Sequence, residues 1–163
     1  MKSTGTSSGG VNGFSYSSSI QVHVKEISGS YSVQSVSGAS YGFALNSMGY
    51  YESQNKGVDD SAAVCKVVIN NPDGNKVKFQ CINYTEAGWD YGLLGKVGAV
   101  LDTTSNVDDD TLLQKNFKGY SYAEPQIIDY GYVANGSTIY VKYRKDSSQS
   151  KNNDSLQFNV VFY

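Results

Sequence analysis

Residues 62–83, AAVCKVVINNPDGNKVKFQCIN, decide the fold. Two runs of alternating apolar and polar residues flank a cluster of turn formers at 70–75. Cys65, Val67 and Ile69 fall on one side of the first run, with Lys66 opposite. Val77, Phe79 and Cys81 share one side of the second run, and Lys76, Lys78 and Gln80 take the other. A side-chain period of two belongs to an extended strand with one face on a core. Asn, Pro, Asp and Gly between the runs favour a tight reversal of the chain. The stretch therefore reads as a hairpin closing about Pro72, Asp73 and Gly74. That register sets Cys65 opposite Cys81, Val67 opposite Phe79 and Ile69 opposite Val77. A slip of one residue would bury the lysines, so the facing of each run is firmly specified.

The same period recurs on both sides of this stretch. Ile20, Val22 and Val24 alternate with Gln21, His23 and Lys25, and Tyr31, Val33, Phe43 and Leu45 continue the pattern. Toward the end come Ile139, Val141 and Tyr143, then Leu156, Phe158, Val160 and Phe162. A second hairpin is expected about Asn135 and Gly136. In all, about eight to ten short strands separated by Gly, Ser, Asn and Asp predict an all-β, antiparallel two-sheet sandwich, jelly-roll-like, over residues 19–163. One stretch, SNVDDDTLLQKNF at 105–117, reads as a short helical crossover. It carries Asp108, Asp109 and Asp110 where a helix N-terminus favours negative charge, then Leu112, Leu113 and Phe117. Residues 1–18 are Ser/Gly-rich and form a tail or an arm, with Phe14 and Tyr16 as the anchors available for docking on a neighbour.

Composition narrows the function classes. The 163 residues carry 13 basic against 15 acidic side chains, a net charge of −2, so phosphate neutralisation has no basic stripe to work with. No apolar run approaches the ~18 residues of a membrane span. The opening MKSTGTSSGGVNG has no apolar core segment and is not expected to act as a secretory signal. Fourteen Tyr and seventeen Gly in a Ser- and Asn-rich chain fit an extracellular or virion surface protein better than a metabolic enzyme.

The richest chemistry sits in INYTEAGWDYG, residues 82–92, where Glu86 and Asp90 bracket the single tryptophan, Trp89. An acid–base pair acting on a glycoside would use those two carboxylates, yet a spacing of four on a loop does not make them converge. Trp89, Tyr84 and Tyr91 are candidates for stacking on sugar rings, and Glu86 and Asp90 for holding a calcium ion. Further acidic loops lie at Asp59, Asp60, Asp146 and Asp154, none with the spacing of a calcium-binding helix–loop–helix. A Ser-His-acid triad would have to use His23, the sole histidine, and no nucleophile elbow accompanies it. Cys65 and Cys81 read as a structural core pair of free thiols, a strained cross-strand disulfide being the alternative. No enzymatic activity and no cofactor is expected, calcium being the one alternative.

Four blocks carry a resemblance: YGFALNSMGYYESQNKGVDDSAAVCKV, CINYTEAGWDYGLL, NFKG and IYVKYRKDSSQSKNNDSLQFNV. In this order, across residues 41–163, they resemble a family encoded in phages and prophages of gut bacteria. The resemblance implies a capsid or tail surface component of decoration or fibre type, made in a host cytoplasm and carried on the virion. Residues 1–40 lie outside the resemblance; the N-terminal arm is expected to dock on further copies of the chain or on other virion proteins. A carbohydrate-binding or host-attachment module, extracellular and using the exposed Trp and Tyr side chains on surface glycans, is the alternative. Within these blocks, Glu52, Glu86 and Asp90 are expected to pair with Lys56, Arg144 or Lys145 at a sheet edge as a scaffold device.

Overall fold

The computed structural model describes residues 27–85, 89–104, 111–115, 121–147 and 154–163. Strands β1 (Ser30–Ser35), β2 (Phe43–Leu45), β3 (Tyr51–Ser53), β4 (Ala62–Asn70) and β5 (Lys76–Tyr84) are followed by β6 (Tyr91–Gly95), β7 (Leu112–Lys115), β8 (Ser121–Tyr132), β9 (Thr138–Arg144) and β10 (Ser155–Phe162). They form two five-stranded sheets, β1-β4-β9-β6-β7 and β2-β3-β10-β5-β8. Every ladder is antiparallel, and one isolated parallel bridge joins Tyr41 to Ala63. The architecture is the expected antiparallel, jelly-roll-like sandwich. Pro125 lies in β8, a sheet edge, where its missing N–H breaks no ladder between neighbours.

The facing sides of the sheets make the core. Cys65, Val67, Ile69, Leu94, Ile139, Val141 and Tyr143 from the first sheet meet Val77, Phe79, Cys81, Leu156, Phe158 and Val160 from the second. Phe158 sits at the centre of a ring cluster, 5.6 Å from Phe79, 5.9 Å from Tyr51 and 5.5 Å from Phe43 between centroids. These spacings lie in the range of favourable aromatic packing. A smaller cluster covers the outer face of the first sheet. There the chain reverses after β6, the Ala99 N–H donating to the Lys96 carbonyl at 3.0 Å. It then buries Leu101 with Leu93 and Leu112, against Tyr91 and Tyr140. Lys142 points to this outer side, between its buried cross-strand neighbours Val64 and Leu93, and is itself only 1% exposed.

Both expected hairpins are corrected. β4 pairs with β1 and β9, and β5 pairs with β10 and β8, so residues 70–75 carry the chain from one sheet to the other. Cys65 and Cys81 are therefore not ladder partners; they lie on facing sheets, in the same core. Likewise Asn135 and Gly136 join β8 of the second sheet to β9 of the first. Alternation fixes which side of a strand is buried, and a hairpin and a sheet-to-sheet arch bury the same side.

The two arches lock together at Asn71. Its buried side chain donates to the carbonyls of Val133 (2.7 Å) and Asn75 (2.8 Å) and accepts from the Asn75 N–H (2.9 Å). The Asn71 N–H in turn donates to Asn135 Oδ1 at 2.8 Å. Gly136 donates to the Ile69 carbonyl at 2.8 Å, with a φ of +81° that favours glycine. Side-chain amides thus supply the bonds that a hairpin ladder would have made.

The expected helical crossover is also corrected where it is described. Leu112–Lys115 is strand β7, pairing with β6. Leu112 is buried and its neighbour Leu113 is 42% exposed, in keeping with the alternation of an extended strand. Asp108, Asp109, Asp110 and Phe117 lie outside the described residues, as do Phe14, Tyr16, Ile20, Val22, His23 and Val24.

Candidate functional site

Among the described residues, one end of the sandwich gathers most of the buried polar side chains. β3 and β5 finish there, β9 finishes opposite them, and β4, β6 and β10 begin there. The registers fix this: Ala62 and Tyr91 both face Arg144, and Ser155 faces Tyr84. Ser53, Asn55, Asn83, Thr85, Asp90, Lys145, Asp154 and Ser155 are all at most 2% exposed. They derive from YYESQNKG, INYTEAGWDYG, YRKD and NDSLQF, which are far apart in the chain and meet here.

Lys145 is the hub. Its N–H donates to the Ser61 carbonyl at 2.9 Å, which fixes the backbone just beyond β9. Its Nζ lies 3.3 Å from Asp154 Oδ2 and 3.7 Å from Asp90 Oδ2, with all three side chains at 1–2% exposure. The ammonium also stands 5.8 Å from the centre of the Tyr143 ring. The second Asp90 oxygen accepts the Asp146 N–H at 2.9 Å, and the Asp146 carbonyl accepts the Asp60 N–H at 2.6 Å. Around this hub the two sheets are stitched together. Asn55, just after β3, donates to Ser61 Oγ (3.0 Å) and to the Tyr143 carbonyl of β9 (3.3 Å), while within the second sheet Ser53 Oγ accepts the Leu156 N–H at 3.1 Å. A buried ion pair adds little net stability over apolar packing, but removing one partner costs about 3–5 kcal/mol because the remaining charge is stranded.

The carboxylates named from sequence are thereby placed. Asp90 faces Lys145 inside the protein, and Glu86 lies outside the described residues. Glu52, 8% exposed, pairs with Lys56 and accepts from Asn46 Nδ2 at 3.1 Å. The scaffold pairings Glu52–Lys56 and Asp90–Lys145 are both present; Asp154 as the nearer partner of Lys145 was not among them. Among the described residues no group of His, Cys, Asp and Glu side chains is arranged to hold a metal ion.

The aromatic candidates do not share one platform. Trp89 is 61% exposed on the turn before β6. Tyr91 packs on the outer cluster of the first sheet. Tyr84 belongs to the outward-facing half of β5, in the second sheet, where the pattern runs strictly inward and outward. Beside the polar end, Asp60, Ser61, Ala62, Thr103, Thr104, Arg144 and Lys145 line a shallow pocket of about 200 Å³. It adjoins a second of about 210 Å³ that reaches Gly38, Ser40 and Tyr41. The two make a polar groove of modest depth.

Cys65 and Cys81 are free thiols at 1% and 0% exposure. Burial pushes both thiols well above the ordinary cysteine range, with a hydrogen bond to Val141 offsetting part of this for Cys65. They behave as small apolar groups. The buried asparagines were missed by sequence reasoning. Asn71 had one usable signal, its place at the end of an apolar strand next to Pro72; Asn55 had none. Compared with known proteins, the chain matches no family model, no curated protein and no solved structure.

Proposed function

We propose that the chain is a non-enzymatic structural module of a phage particle, a capsid or tail surface component that works through its exterior. The observation that carries this reading is the internal commitment of Asp90: its carboxylate faces Lys145 and the Asp146 N–H at 2% exposure, where a substrate would have to displace an ion pair. A general acid or base must reach the atom whose proton it moves. What the module offers outward is polar and aromatic surface. On the second sheet, Lys76 lies over the rings of Tyr132 and Tyr163, and Lys78 over Tyr163. Ile127 (49% exposed) and Tyr132 (76%) stand on the edge strand β8 of the same sheet. Exposed tyrosines are among the groups that protein–protein contacts favour.

The partners in this reading are further copies of the chain or other virion proteins, engaged through residues 1–18. Deleting those residues is expected to leave the sandwich folded, by circular dichroism and thermal unfolding, and to abolish incorporation into purified particles. Normal incorporation of the truncated chain would remove the arm from the account. Absence of the full chain from purified particles would remove the reading altogether.

A second reading, attachment to surface glycans, is favoured by Trp89, which is 61% exposed. A glycan array probed with the full chain and with Trp89→Ala tests it. Binding lost in the variant supports attachment, and no binding by the full chain rejects it.

A further inference from the structure

The buried triad of Lys145, Asp90 and Asp154 has the composition of a condensation site. A primary amine lies against one carboxyl, at 3.3 Å from Asp154 Oδ2, with a second carboxyl 3.7 Å away. All three side chains are at least 98% shielded from solvent. The groups are also held in place. The Lys145 backbone is fixed by its bond to Ser61, and Asp90 is fixed by the Asp146 N–H on its other oxygen. Asp154 immediately precedes β10, whose first residue is in register with Tyr84. Fixed, water-free contact between two reactants raises their effective concentration by many orders of magnitude over free solution. It also lowers the local activity of the water that would hydrolyse the product.

The geometry points to a spontaneous intramolecular amide crosslink between Lys145 Nζ and Asp154 Cγ, with Asp90 carrying the protons. The Lys145 ammonium gives one proton to the Asp90 carboxylate and becomes an amine. Its lone pair forms the Nζ–Cγ bond, and the Asp154 carboxyl becomes tetrahedral. Asp90 passes its proton to the departing Asp154 oxygen. The Cγ–O bond breaks with its electron pair on oxygen, a second proton leaves nitrogen for that oxygen, and one water departs. Ammonium plus carboxylate has become amide plus water, and Asp90 is back where it began. No oxidant, metal or cofactor enters the balance.

A crosslink here would tie the end of β9 to the start of β10, two strands of opposite sheets, at the buried polar end of the sandwich. The product is a neutral amide, so one buried charge of each sign disappears, and Asp90 keeps the Asp146 N–H as a donor to its carboxyl. The inference shares the Lys145, Asp90 and Asp154 cluster with the proposed role but does not depend on what the exterior of the chain binds.

Intact-mass spectrometry of the purified full chain, unfolded in acid, is the test. The expected mass is one water below that of the sequence, and digestion is expected to yield a branched peptide joining Lys145 to Asp154. Lys145→Arg, which cannot form this amide, is expected to show the full mass. Asp90→Asn is expected to form the crosslink about a hundredfold more slowly than the native chain. The full sequence mass in native protein, after prolonged incubation in the folded state, would overturn the proposal. So would a water loss that persists in Lys145→Arg. If Asp90→Asn does not fold, the mass of the native chain decides alone.

Discussion

Replacing Asn71 by Ala tests why the chain crosses between sheets instead of turning back in one. The side chain makes three hydrogen bonds, to the Val133 carbonyl, the Asn75 carbonyl and the Asn75 N–H, and is 1% exposed. Each bond is worth about 0.5–1.5 kcal/mol net, and a buried carbonyl left without a donor costs about 1–3 kcal/mol. The sum for Asn71→Ala spans about 2.5–7.5 kcal/mol, a large part of the roughly 5–15 kcal/mol that holds an average domain. Asn71→Asp sharpens the test. It keeps an acceptor for the Asn75 N–H but turns an anionic oxygen toward two carbonyls. At neutral pH it is expected to lose at least as much as Ala, and to recover part of the loss in acid as the carboxyl regains a proton to donate. Asn70→Ala, one residue away, removes an exposed bond to Ser30 and is expected to change stability by about 0.5 kcal/mol or less. Urea unfolding followed by far-UV circular dichroism measures all three. A shift below about 1 kcal/mol for Asn71→Ala, with an unchanged denaturant slope, would refute the argument that this amide holds the arches.

Three further outcomes are expected. Because burial holds both thiols in the neutral form, Cys65 and Cys81 should resist a thiol reagent in the native chain at pH 8 and react fully on unfolding; rapid native reaction of either contradicts their placement. Phe158→Ala opens the ring cluster and should cost about 3–5 kcal/mol in the same urea assay, against a result near zero if that cluster is not the core. Burial lowers the Lys142 amine below the ordinary lysine range, with Asp102 offsetting part of the effect and Arg144 adding to it. Between that lowered value and the unfolded one, the unfolded chain binds the extra proton, so Lys142 contributes stability that rises with pH. Lys142→Met should abolish that alkaline rise and leave stability at neutral pH equal or higher. A clear loss at neutral pH would show that the Lys142 ammonium holds the outer face together.

How much of this could be read in the sequence follows from what alternation encodes. The inward sides of β4, β5, β9 and β10 were legible because Cys65, Val67, Phe79, Val141 and Phe158 recur at a period of two with polar residues between. Their neighbours were not legible. Val67 opposite Ile139 and Val67 opposite Phe79 bury the same face, and the choice rests on Asn71 and Asn135, whose bonds are made only after the arches meet. The three aspartates and two leucines of 108–113 matched a helix start, yet Leu112 is drawn into a strand by Leu93 and Leu101, contacts invisible in local sequence. At the candidate site, Asp90 with Lys145 and Glu52 with Lys56 were legible as opposite charges in neighbouring blocks. Asp154 stands in an acidic loop of the sequence, where nothing nearby shows that it is buried against Lys145. Trp89 keeps its exposure, and the tyrosines beside it in sequence part to different sheets.

The account rests on carboxylates that face inward to a lysine and leave the outer skin to make the contacts. Carbodiimide coupling of a small amine to the native chain, followed by unfolding, digestion and mass mapping, measures this most directly. The account expects label on the exposed carboxylates Asp59, Asp60, Asp73 and Asp129 and none on Asp90 or Asp154. Label on Asp90 in the folded chain, at a level matching the exposed set, would contradict it.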